Sequence, residues 1–144
     1  MQKEIITREV FDEDGTKLFA SETIFQYKAG DTVLLYGKLG SGKTFLVREY
    51  VNLLGITDQV SSPSFSLVNQ YHGELIINHI DLYRISDPSE LDNLGLDDFW
   101  EMYSINFIEW PQLIEERIIW PHFRLYIDTE FRKKSWRRFR LIYL

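Results

Sequence analysis

The segment GKLGSGKT at residues 37–44 constrains this chain more than any other feature, because it satisfies the pattern G-x-x-x-x-G-K-[ST]. Its three glycines permit positive φ angles and let the backbone approach phosphate oxygens without an intervening Cβ. Consecutive backbone N–H groups at the start of a helix then form a cradle for anions. An apolar run at residues 32–36 precedes the segment, and leucines at helical spacing follow it. We therefore predict a nucleotide-binding phosphate loop.

Two side chains of this loop have predicted roles of their own. Lys43 is expected to reach the β- and γ-phosphates, which also makes it a candidate catalytic residue. Thr44 is expected to offer its hydroxyl to Mg²⁺. The predicted nucleotide contacts come from the loop as a whole, namely Gly37, Lys38, Leu39, Gly40, Ser41, Gly42, Lys43 and Thr44.

Strand and helix patterns alternate through the middle of the chain, which is typical of an α/β domain with a mostly parallel sheet flanked by helices. Helices are expected near residues 16–25 with Asp12 or Asp14 as N-cap, after the loop as far as Gly55, and from the capping residue Asp87 to about Gly95. A short helix is expected to end near residue 119. The predicted strands are residues 4–11, 32–36, 67–71, 75–82, 104–108, 123–128 and 137–144.

The length of 144 residues fits one phosphate-loop NTPase domain spanning residues 1–144. The last two predicted strands are neighbours, and they place antiparallel pairing at the edge of the sheet. A basic C-terminal strand, residues 131–144, is expected to be part of this same domain.

A phosphate loop requires a second acidic residue near the metal, and two predicted strand ends supply one. Glu109 ends the run INFIE, and Asp81 ends the run IINHID. One carboxylate can coordinate Mg²⁺ while the other orients or deprotonates the attacking water, and the residues alone leave the two assignments open. Strand alternation places His79 and Tyr83 on the face of Asp81 if the strand extends that far. His79 is then either a hydrogen-bond partner of the site or an ordinary packing residue.

The net charge of −6 is unevenly distributed, since residues 131–144 contain six basic and no acidic residues. The acidic remainder is a poor free-standing nucleic-acid binder, because phosphate neutralisation needs clustered Lys and Arg. If the protein serves RNA, a partner does most of the binding. The basic segment is then either a solvated strand face or a contact with that partner or the RNA. Cysteine is absent and no apolar run reaches the roughly 18 residues that cross a bilayer, so we expect a cytoplasmic protein.

Three further motifs follow the phosphate loop in a distinctive order. They are SSPSF at residues 61–65, HIDLYR at 79–84 and IEWP at 108–111. Together with the loop, these motifs resemble the TsaE family, also called YjeE. Its members are small bacterial ATPases required for forming threonylcarbamoyladenosine in tRNA. The resemblance extends over residues 12–111.

The resemblance implies which ligand binds and which residues hold it. It implies that ATP binds at the loop, with Mg²⁺ held by Thr44 and Glu109. It also implies that Asp81 activates or positions the attacking water, which resolves the choice between the two acids. Thr16 and Trp110 are expected beside the nucleotide.

Further implications concern one loop and the partners of the family. Residues 62–65 match a switch-like loop. Members of the family work with the proteins TsaD and TsaB, which transfer the threonylcarbamoyl group, so tRNA is reached indirectly through the TsaB–TsaD complex. We therefore expect weak intrinsic ATPase activity that rises in the presence of that complex.

Two other functions share the phosphate loop. A small-molecule or nucleotide kinase usually has an arginine-rich lid, and only Arg84 lies between Arg48 and Arg117, so the basic C-terminal segment would have to supply it. A nucleotide-dependent interaction module that does not hydrolyse ATP would leave Asp81 and Glu109 with structural roles only.

Overall fold

Seven strands form a single mixed sheet in the computed structural model, which describes residues 2–63, 67–100 and 103–144. The strands are β1 (Lys3–Val10), β2 (Thr32–Gly37), β3 (Val68–His72), β4 (Ile76–Asp81), β5 (Ser104–Glu109), β6 (Phe123–Glu130) and β7 (Lys133–Tyr143). Their order across the sheet is β1-β7-β6-β2-β5-β4-β3.

Among the described residues, three α-helices and four short 3₁₀ segments connect these strands. The α-helices are α1 (Glu13–Thr23), α2 (Lys43–Leu53) and α3 (Leu96–Trp100). The 3₁₀ segments are Ile24–Gln26, Pro88–Asn93, Pro111–Leu113 and Glu115–Arg117. Within the described residues, no helix has the length and apolarity that crossing a bilayer requires.

The centre of the sheet is parallel and both edges are antiparallel. Strands β6, β2, β5 and β4 pair in parallel, whereas β7 and β1 add antiparallel strands at one edge and β3 adds one at the other. This arrangement confirms the predicted α/β fold with antiparallel edge strands. Parallel pairing brings the carboxyl ends of neighbouring strands together, and Glu109 lies in register with Asp81 on one side and Leu35 on the other.

Apolar side chains bury both faces of the sheet. Helices α1 and α2 cover one face, where Phe19 stacks on Phe139 with ring centres 4.4 Å apart. The Tyr50 hydroxyl lies 2.7 Å from that of Thr23, and burial raises the pKa of Tyr50 to about 12. Residues of α3 and the 3₁₀ segments cover the other face, packing Leu91 and neighbouring side chains against the sheet.

Several local predictions need correction. Asp12 does cap α1, accepting a hydrogen bond of 2.8 Å from Gly15, but the helix begins before residue 16. Asp87 caps a 3₁₀ helix instead of an α-helix, and the short segment after Pro111 consists of two 3₁₀ turns. Strand β7 begins at Lys133 and not at residue 137. The 3₁₀ segments after Asp87 and Pro111 are too short or too rich in turn residues to complete α-helical hydrogen-bond ladders.

Candidate nucleotide-binding site

The loop between β2 and α2 has the backbone conformation that an anion cradle needs. Gly40 and Gly42 have φ angles of 78° and 103°, which lie in the left-handed region that favours glycine. Gly42 is the residue that immediately precedes α2, so the positive end of the helix dipole faces the loop. At Gly37 the requirement is close approach, because a Cβ there would overlap the Ser41 hydroxyl.

The side chain of Lys43 is buried and turned back into the loop. Its Nζ donates hydrogen bonds of 2.5 Å to the Gly37 carbonyl and 3.1 Å to the Lys38 carbonyl. The same nitrogen lies 4.0 Å from the centre of the Trp110 ring. Burial lowers the pKa of Lys43, and the site's carboxylates act in the opposite direction. The ammonium group therefore lies poorly hydrated at the loop, where an anionic phosphate would compensate its charge.

The two predicted acids stand side by side at the ends of β4 and β5. The Thr44 hydroxyl donates a hydrogen bond of 3.0 Å to Glu109 Oε2, and His79 Nε2 lies 2.5 Å from that same oxygen. Asp81 is buried and accepts a hydrogen bond of 2.9 Å from the backbone of Tyr83. His79 therefore contacts the site through Glu109. Tyr83 lies beyond the end of β4, packs on Trp110 and also borders the space between the loop and the two acids.

These groups surround a cavity of about 250 Å³. Its lining combines the loop from Leu39 to Thr44 with Asp81, Glu109 and Trp110. A hydroxyl and a carboxylate within 3.0 Å of each other are the hard oxygen donors that Mg²⁺ prefers. No group of three or more His, Cys, Asp or Glu side chains among the described residues could hold a metal ion alone. The donor set therefore fits a Mg²⁺ that takes its remaining ligands from phosphate and water.

A second cavity of about 410 Å³ opens beside the first, across Ser41 and Gly42. Thr16 of α1 lines it, together with Phe45 and Phe139. Thr16 is buried and lies beside the loop, and its contact with a nucleotide stays a prediction. Polar and aromatic walls next to a phosphate cradle are the surroundings that a nucleoside needs.

The predicted residues thus meet in one region of the molecule. Thr16 lies at the second cavity, and the loop from Leu39 to Thr44 lies at the first together with Asp81, Glu109 and Trp110. Lys38 and Leu39 have exposed side chains, so only their backbone is available to the cradle. Half of the predicted switch-like segment at 62–65 lies outside the described residues: Ser62 lines the first cavity, whereas residues 64 and 65 are not described.

One residue at the loop escaped prediction. Arg137 of β7 donates a hydrogen bond of 2.8 Å from Nε to the Ser41 carbonyl. The sequence placed it in a basic segment with five other cations, and nothing in that run distinguishes it from Arg138. The only available signal is strand alternation, which turns neighbouring side chains to opposite faces.

A phosphate loop between a central parallel strand and a helix, with an acid ending the adjacent strand, is the fold and motif of a phosphate-loop NTPase domain. The profile of the family described as "Threonylcarbamoyl adenosine biosynthesis protein TsaE" matches residues 10–139. The chain belongs to the TsaE family.

Individual relatives agree with this membership. The chain is 40% identical to the tRNA threonylcarbamoyladenosine biosynthesis protein TsaE of Bacillus subtilis over 115 residues, which is 79% of this chain and 70% of the relative. It is 43% identical over 82 residues to the protein of the same name from Haemophilus influenzae, covering 56% of this chain and 51% of the relative. The crystal structure of Bacillus subtilis YdiB superposes with a TM-score of 0.79 at 28% identity, covering 99% of this chain and 86% of YdiB.

Proposed function

We propose that this protein is a Mg²⁺-dependent ATPase that serves threonylcarbamoyladenosine modification of tRNA by supporting turnover of the TsaB–TsaD complex. The observation that carries the ATPase assignment is the convergence of buried Lys43, Asp81 and Glu109 on one cavity at the phosphate loop. Membership of the TsaE family supports the pathway.

Binding of the triphosphate uses the loop and Lys43. The backbone N–H groups between Gly40 and the start of α2 donate hydrogen bonds to phosphate oxygens, and the helix dipole strengthens this interaction. Lys43 Nζ exchanges the carbonyls of Gly37 and Lys38 for β- and γ-phosphate oxygens, which are stronger acceptors because they are charged. The cavity lined by Thr16 and Phe45 receives the adenosine.

The metal side of the site uses Thr44 and Glu109. Mg²⁺, when bound with ATP, neutralises negative charge that develops on the phosphates. Thr44 Oγ1 and Glu109 would hold it, directly or through water. His79 fixes the orientation of the Glu109 carboxylate through the contact at Oε2.

Asp81 is the residue that positions or deprotonates the attacking water. It lies in register beside Glu109 and borders the same cavity, while its Oδ1 is fixed by the Tyr83 N–H. A carboxylate held within reach of water can contribute a rate factor of roughly 10²–10⁴. Trp110 covers Lys43 from the other side, so its ring is placed to report nucleotide binding by fluorescence.

The charge of the chain, as well as its family, supports a role for partner proteins. Apart from residues 131–144 the chain is strongly acidic, which disfavours direct capture of RNA. A protein complex that itself holds the tRNA is compatible with this charge. Weak hydrolysis that such a complex stimulates would couple ATP consumption to turnover of the complex.

The decisive experiment measures ATP hydrolysis by the purified chain, alone and with the TsaB–TsaD complex. We expect a low rate that the complex raises and that Lys43→Ala abolishes. Phosphate appearing on an added small molecule would favour the kinase alternative. ATP binding without hydrolysis, and full support of the partner complex by Asp81→Ala, would favour an interaction module.

A further inference from the structure

Arg137 connects strand β7 to the phosphate loop through its guanidinium group. Nε donates 2.8 Å to the Ser41 carbonyl, and Nη2 lies 3.4 Å from the Gly40 carbonyl. On the other side, Nη1 donates to the carbonyls of Lys134 and Trp136 at 2.7 and 2.8 Å. The planar guanidinium is thus fixed by its own strand while it holds two loop residues that lie 96 and 97 positions away in sequence.

Holding a carbonyl in a loop also orients the N–H group of the same peptide. In a planar trans peptide the C=O and the following N–H point in opposite directions. The Ser41 carbonyl points towards Arg137, so the N–H of Gly42 points away from it, which is the orientation that a phosphate cradle requires. Gly42 has a φ of 103° and is conformationally free enough to turn this peptide over without such a restraint.

We propose that Arg137 is a positioning residue for the phosphate loop, holding the Ser41–Gly42 peptide in the orientation that binds phosphate. This inference rests on the proposed nucleotide site. Its expected effect falls on nucleotide affinity, because a turned peptide removes an N–H donor that both ATP and ADP use.

Arg138 supplies a matched control. It is the next residue of β7, carries the same charge and forms a surface ion pair of 3.0 Å with Asp128. Replacing either arginine with alanine changes the net charge equally, so a general electrostatic effect on nucleotide binding would appear in both variants. An effect of the loop contact appears only at Arg137.

The test measures dissociation constants for ADP and Mg·ATP, and the rate of hydrolysis of bound ATP, in the full chain and in Arg137→Ala, Arg137→Lys and Arg138→Ala. We expect Arg137→Ala to weaken both nucleotides by about 10-fold. The rate for bound ATP should stay within about threefold, and Arg138→Ala should bind within about twofold. Arg137→Lys can reach one carbonyl but not both, and should recover part of the affinity.

A second readout separates positioning from a purely structural role. The Gly42 amide should exchange its hydrogen faster in Arg137→Ala than in Arg138→Ala, while the free energy of unfolding changes equally little in both. If Arg137→Ala does not fold, the Arg137→Lys variant carries the same comparison. Unchanged nucleotide affinities in the Arg137 variants, or equal losses of affinity in the Arg137 and Arg138 variants, would overturn this inference but not the proposed function. Absence of nucleotide binding by the unmutated chain would overturn the proposed function as well.

Discussion

Strands β4 and β5 carry a polar cluster on each face, and the two clusters differ in charge. The amide cluster faces α3 and consists of Asn78, Ser104 and Asn106. The carboxylate cluster faces α2 and consists of His79, Asp81 and Glu109. Both are buried, and both arise from the same two strands by simple alternation of side chains.

The amide cluster satisfies its own hydrogen bonds. Asn78 Nδ2 donates to Asn106 Oδ1 at 2.7 Å and to the Ser104 hydroxyl at 3.2 Å, and Gln70 donates to Asn78 Oδ1 at 2.9 Å. Asn106 Nδ2 in turn donates to the Phe99 carbonyl at 3.4 Å. A neutral network of this kind specifies how the strands and α3 fit together and needs no ligand.

The carboxylate cluster consists instead of ionisable groups, of which Asp81 and Glu109 border a cavity. Both carboxylates act on the Lys43 ammonium, and His79 Nδ1 has no hydrogen-bond partner among the described residues. Ionisable groups are costly to bury, and they cluster at functional sites. The comparison shows that polarity and burial alone do not mark a site, whereas ionisable groups that converge on a cavity at the strand ends do.

The largest effect is expected at Lys43, which interacts with both acids of the carboxylate cluster. Replacing Lys43 with alanine should lower ATP hydrolysis by about 10³-fold, since the phosphates lose their main side-chain cation. The free energy of unfolding should fall by only about 1 kcal/mol, because the lost attraction to Asp81 and Glu109 is partly offset by the removed desolvation cost of the ammonium and by water entering the cavity that both carboxylates border. Phosphate release and urea unfolding check the two parts. Substantial hydrolysis by the variant would place the active site elsewhere.

Asn78→Asp should produce the opposite pattern. The new carboxylate would face two groups that now accept hydrogen bonds from Asn78 Nδ2, and would lie buried without a cation. We expect the free energy of unfolding to fall by about 3 kcal/mol. Hydrolysis per folded molecule should stay within about twofold. Equilibrium unfolding in urea provides the measurement, and an unchanged midpoint would show that the amide cluster does not contribute to stability.

The variant His79→Asn tests whether His79 contributes to the function of the carboxylate cluster. Losing the imidazole that orients Glu109 should raise the Mg²⁺ concentration for half-maximal hydrolysis by about 10-fold. ADP affinity without Mg²⁺ should not change. The exposed His72 of β3 offers a control, and His72→Asn should leave the Mg²⁺ dependence as it is. Equal Mg²⁺ requirements in the two variants would reduce His79 to a packing residue.

The smallest expected effect is that of Ser104→Ala. Its hydroxyl takes part in hydrogen bonds with Asn78 and Asn106, so its loss should lower the free energy of unfolding by about 1 kcal/mol. Hydrolysis should be unaffected. Thermal and urea unfolding test the first expectation and steady-state phosphate release the second. A change in the hydrolysis rate larger than twofold would show that the amide cluster affects catalysis at the carboxylate cluster.

The amino-acid sequence predicts the carboxylate cluster well for a physical reason. The phosphate loop is a local pattern, and parallel strands bring Asp81 and Glu109 to the same edge wherever each strand ends. The amide cluster is much less visible, because an Asn within a strand is as compatible with a solvated edge as with a buried network. Only the position of α3 against β5 decides between them.

Two further differences depend on contacts between distant residues. Arg137 donates a hydrogen bond to Ser41, which lies 96 positions earlier in the chain. The run of basic residues does not indicate which of its side chains points towards the loop. The assignment of water activation to Asp81 and metal binding to Glu109 came from the family resemblance, and the Thr44 and His79 contacts at Glu109 support it.

The central claim is that Asp81 acts on water in a site that binds Mg·ATP independently of it. Single-turnover hydrolysis of pre-bound ATP by the unmutated chain and by Asp81→Asn, with the dissociation constant measured for each, tests this directly. We predict a rate about 10³-fold lower in the variant and a dissociation constant within about threefold. An unchanged rate for bound ATP, or a loss explained by weaker binding alone, would contradict the account.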